Sequence, residues 1–81
     1  MKLLVTTLVG PGDPTRASIP FHQAVNGAAK IMSGSEIGMA LAGDAAELLK
    51  PGVAESVRGV GVPPLTQLLA DCKAAGITLY I

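Results

Sequence analysis

The apolar run Leu3-Leu4-Val5-Thr6-Thr7-Leu8-Val9 passes directly into Gly10-Pro11-Gly12-Asp13-Pro14-Thr15, and that junction constrains the chain more than any other feature. A near-continuous apolar run is typical of a strand in a parallel sheet, where both faces are buried. The Gly/Pro segment cannot prolong the strand, and Asp13 followed by Pro14 is a helix start. The Asp side chain can accept from a free backbone donor as the N-cap, and Pro suits the first helical position, where an N–H has no partner to lose. A strand that feeds a helix through so short a loop opens a βαβ unit. In open parallel sheets, the loops leaving the carboxyl ends of the strands form the ligand-binding edge.

The remaining elements follow from spacing. Residues 2 to 9 are the first strand. After Asp13, Ala17, Phe21, Ala24, Val25, Ala28, Ile31 and Met32 recur at helical offsets, with Arg16, Gln23, Asn26 and Lys30 on the opposite side. Pro20 predicts a kink or a split first turn, because it removes a hydrogen bond and crowds the carbonyl of Arg16. Gly34 ends this helix. The second strand runs from Glu36 to Ala42, with Ile37, Met39 and Leu41 on one face and Gly38, Ala40 and Ala42 on a small face suited to close helix packing. Asp44 and Glu47 stand as N-cap and N3 of a short helix through Lys50, stopped by Pro51-Gly52. Residues 53 to 62 read as irregular. Pro63-Pro64 opens a third helix carrying Leu65, Leu68, Leu69 and Cys72 on one face, with Gly76 as its C-terminal cap. Ile77 to Ile81 is the third strand.

The order strand, helix, strand, helix, connection, helix, strand predicts one α/β domain over residues 1 to 81. It implies right-handed crossovers and a mostly parallel sheet with helices on both faces. The sequence ends inside the third strand with no polar tail, so a further C-terminal segment or another subunit is expected beside it.

Composition narrows the function classes. Phe21 and Tyr80 are the only aromatic residues although 49% of the chain is hydrophobic, so Leu, Val, Ile, Ala and Met must build the core. Six basic residues balance six acidic ones, which removes the electrostatic case for nucleic acid or an anionic membrane surface. Thr6, Thr7 and the Gly/Pro loop break the apolar segment at the start, well short of the roughly 20 residues of a membrane helix. That segment also lacks the small-residue cleavage pattern of a signal peptide. Cys72 is the single cysteine; it excludes an internal disulfide and thiolate-rich metal clusters, and it fits a cytoplasmic setting.

Five residues at the expected edge are candidates for binding a ligand: Gly12, Asp13, Thr15, Gly43 and Asp44. Glycines, a helix N-terminus and the Thr15 hydroxyl could together hold a small anion. Against this, Asp13 would repel an anion, and the segment matches neither a phosphate loop nor a dinucleotide fingerprint. A tight turn and two helix caps account for the same residues. No metal site and no cofactor are expected. Cys72 lies late in its helix on the Leu65/Leu68/Leu69 face and reads as a buried structural thiol. His22, near Ser18 and Asn26, has no acid or thiol partner visible in the sequence and reads as boundary packing.

Taken in order, the Gly-Pro-Gly-Asp-Pro-Thr-Arg-Ala-Ser loop, Ala40-Leu41-Ala42-Gly43-Asp44-Ala45, Val62-Pro63-Pro64-Leu65-Thr66-Gln67-Leu68-Leu69 and Gly76-Ile77-Thr78-Leu79-Tyr80-Ile81 resemble the DsrE/DsrF-like family over nearly the whole chain. The resemblance implies a compact α/β fold with flavodoxin-like layering and homo-oligomeric assembly, as a trimer or hexamer. In several members it also implies sulfur carried as a cysteine persulfide and passed to a partner protein of a sulfur relay. In those members the working cysteine follows the strand that Gly76 to Ile81 resembles, and the present residues stop before that position. Cys72 is not that residue. Two expectations result: a sulfur carrier or sulfurtransferase whose working cysteine lies outside this sequence, and a non-catalytic oligomeric module for small-ligand binding or assembly.

Overall fold

A computed structural model describes residues 2 to 31, 34 and 36 to 81. The first strand, β1 (Lys2–Thr7), leads into helix α1 (Pro14–His22), which passes through a π-helical stretch (Gln23–Ala28) into one last α-turn, α2 (Ala29–Ile31). Strand β2 (Glu36–Leu41), two 3₁₀ segments (Gly43–Leu49 and Ala54–Ser56), helix α3 (Leu65–Ala74) and strand β3 (Thr78–Tyr80) complete the order. The chain is therefore α/β, with a three-stranded sheet in the order β1-β2-β3 and both pairings parallel. Leu3 lies beside Ile37, Val5 beside Met39 and Thr7 beside Leu41, while Met39 also pairs with Leu79.

Local chemistry explains the boundaries. Asp13 caps α1 as its sequence predicts, its carboxylate accepting from the Arg16 N–H at 3.1 Å. Pro20 does not split the helix; the α-turns continue to His22 and widen into the π-helical stretch immediately afterwards. The far end of α3 is a Schellman close, in which the Ile77 N–H donates to the Cys72 carbonyl and the Gly76 N–H to that of Lys73. That close requires a left-handed residue, and Gly76 supplies it at φ 75°. At the other end, the Leu65 N–H, left without a helical partner, donates to the Val57 carbonyl at 3.1 Å. The 53 to 62 connection is thereby tied to the core. A single 3₁₀ turn interrupts its otherwise irregular path.

Two expectations are corrected. The segment after β2 is 3₁₀ rather than a capped α-helix: Ala42 is its N-cap with no side-chain bond, and Asp44 lies inside the first turn. The buried residues Ala45 and Leu48 are three apart, the spacing that a 3₁₀ helix superimposes on one face. Helices on both faces of the sheet are also not observed among the described residues. Ala17, Phe21 and Ala24 before β2, Ala45 and Leu48 after it, and Leu65, Leu68 and Cys72 of α3 form one core with Ile37, Met39 and Leu41.

The opposite face, bearing Leu4, Gly38 and Tyr80, has no helix over it among the described residues, and Leu4 and Tyr80 remain 60% and 55% exposed. Strand order supplies the reason. When each crossover steps one strand further in the same direction with the same hand, both connections fall on the same side, and only a reversal of order would cover the other. Gly38, on the small face of β2, accordingly meets no helix among the described residues. A Cβ on Gly38 would instead lie 2.9 Å from the Tyr80 ring, which rests over it. Ile31, predicted to face the core, is 84% exposed, and Met32 lies outside the described residues.

On the covered face, Thr7 is buried and its hydroxyl has no hydrogen-bond partner among the described residues. A buried hydroxyl without a partner costs about 1–3 kcal/mol, and valine has nearly the same shape. Thr7→Val is expected to raise stability by about 1 kcal/mol, read as a higher urea midpoint with an unchanged slope; a lower midpoint would mean that the hydroxyl is satisfied in solution.

Candidate functional site

The parallel ladder brings the loops after β1 and β2 together. It extends one bond past the strands, from the Ala42 N–H to the Thr7 carbonyl at 3.0 Å. Beyond it the two loops touch. A Cβ on Gly10 would stand 2.6 Å from the Asp44 carbonyl oxygen and 2.9 Å from the Asp44 Cβ. Only a residue without a side chain permits this approach. The contact forms the floor of an open cleft of about 480 Å³ at the carboxyl edge, lined by Leu8, Val9, Gly10, Pro11, Gly12, Asp13, Asp44 and Glu47.

Of the five residues proposed from sequence, Gly12, Asp13 and Asp44 line this cleft and Thr15 and Gly43 do not. Thr15 has a different partner: its hydroxyl accepts from the Val60 N–H at 3.0 Å. It thereby holds the 53 to 62 connection across the first turn of α1, where Gly59 lies so close that a Cβ would be 2.9 Å from the Thr15 Cα. Gly43 turns the chain at φ 58°, a conformation that suits glycine. Gly10 supplies the contact with Asp44, and Glu47, three residues further on, lines the cleft as well.

The charge of the cleft is acidic. Asp13 pairs with Arg16, Nε to Oδ2 at 3.7 Å, and Glu47 with Lys50 at 3.4 Å, all four side chains being substantially exposed. Asp44 has no ion pair among the described residues. Since the Asp13 carboxylate also occupies the amino end of α1, a phosphate or carboxylate there would meet negative charge rather than free N–H groups. No group of His, Cys, Asp and Glu among the described residues is arranged to hold a metal ion. A second depression, of about 330 Å³, lies on the open sheet face between Lys2, Leu4, Glu36, Gly38, Thr78 and Tyr80.

The two remaining chemical candidates lie away from the cleft. His22 is half-buried on α1 with its Nδ1 3.0 Å from the Asn26 amide nitrogen. Cys72 is 1% exposed within the core. Burial, with Asp71 beside it, pushes its thiol from 9.0 up to about 11. A thiol in that position is protonated and inaccessible, the opposite of what nucleophilic sulfur chemistry requires.

The same shift predicts a pH dependence. The folded value lies above the unfolded one, so the contribution of Cys72 is complete below about pH 9 and is lost as the pH rises towards 11. Between pH 8 and 10.5 the wild type is expected to lose about 2 kcal/mol more than Cys72→Ala, measured by urea unfolding. Equal losses in both proteins would mean that the thiol titrates as if exposed.

No helix among the described residues is long and apolar enough to cross a membrane. Compared with known proteins, the chain matches no family model, no curated protein and no solved structure.

Proposed function

We propose that the chain is a DsrE/DsrF-like α/β module that binds a small ligand at the carboxyl edge of its sheet, assembles as a homo-oligomer, and performs no thiol chemistry through Cys72. The observation that carries the reading is the meeting of the β1 and β2 loops at Gly10 and Asp44, which forms the cleft. Its acidic lining sets the ligand class: a small neutral or cationic molecule, held by Asp44 and backbone groups around Gly12, rather than an inorganic anion or a nucleotide. Oligomerisation rests on the family resemblance.

A thermal-shift panel of small amines, sugars, phosphate and nucleotides tests this. At ten times its Kd a ligand stabilises by about 1.4 kcal/mol, which is about 6 °C or more for a domain of this size. The expected result is a rise with an amine or sugar, none with phosphate, and loss of the rise in Asp44→Asn. A rise with phosphate alone would overturn the ligand class. No rise with any member, together with a monomer in sedimentation, would remove the proposal.

The resemblance also favours a second reading, in which the module serves a sulfur relay and the sulfur-bearing cysteine belongs to a partner or to residues beyond this sequence. Burial of Cys72 accords with that division of labour. Under this reading, incubation with a persulfide donor leaves the mass of this chain unchanged, and a gain of about one sulfur atom on native Cys72 would refute it.

A further inference from the structure

We draw no further inference here: the strongest candidate, the open face of the sheet around Leu4, Gly38 and Tyr80, is an unpartnered apolar surface, and nothing in the structure shows what covers it.

Discussion

Phe21→Ala is expected to remove a large share of the chain's stability. Phe21 is fully buried and is the chain's one phenylalanine, in a core otherwise made of Leu, Val, Ile, Ala, Met and the Cys72 thiol. Removing a buried Phe costs about 3–5 kcal/mol when the site cannot collapse around the cavity. A chain of 81 residues has only about 4–12 kcal/mol of stability at typical values per residue. At the lower end of that range the loss takes the whole margin, and at the upper end somewhat less than half. Far-UV circular dichroism and urea unfolding check it, with Phe21→Leu retaining the fold because less volume is removed. A Phe21→Ala protein that unfolds within about 1 kcal/mol of the wild type would mean that α1 does not pack on the sheet through this ring.

Gly10→Ala is expected to destabilise the protein by about 1–3 kcal/mol, in the range of overpacking changes, and, under the proposed ligand-binding function, to abolish the stabilisation by ligand. The new methyl would lie 2.6 Å from the Asp44 carbonyl oxygen and 3.0 Å from the Asp44 carbonyl carbon. These are backbone atoms, and they are anchored by the fully buried Ala45 next to them. One loop must therefore withdraw, which opens the floor of the cleft. Gly12→Ala is the matched control: a Cβ there meets nothing within 4 Å, and Gly12 has no positive φ. Its effect should be small, within about 0.5 kcal/mol. Equal urea midpoints for the two variants would show that the loops do not touch in solution.

Local rules located the parts of this fold well. The alternation Ile37, Met39, Leu41 identified the buried face of β2, Asp13-Pro14 located the start of α1, and Gly76 located the close of α3. Each depends on interactions within a few residues, which one sequence records directly. Strand order leaves no such record. Right-handed crossovers were expected together with helices on both faces, and these agree only if the order reverses; β1-β2-β3 does not reverse. The position of the candidate residues was legible in the same partial way. Gly12, Asp13 and Asp44 line the cleft, because a parallel sheet sends its carboxyl-end loops to one edge. Thr15 lies off the cleft with its hydroxyl engaged by Val60, 45 residues away, and the contact of Gly10 depends on Asp44 arriving beside it.

From residue types and their spacing alone come the α/β class, the helix start at Asp13-Pro14, the composition of the core and the absence of a charge bias, since propensity, capping and burial periodicity act over one or two turns. Three-dimensional packing alone decided that one face of the sheet carries no helix among the described residues, and that Gly10 and Asp44 meet at an acidic cleft. These depend on which distant segments lie side by side, and long-range pairing is set by the balance of the whole core rather than by any local signal.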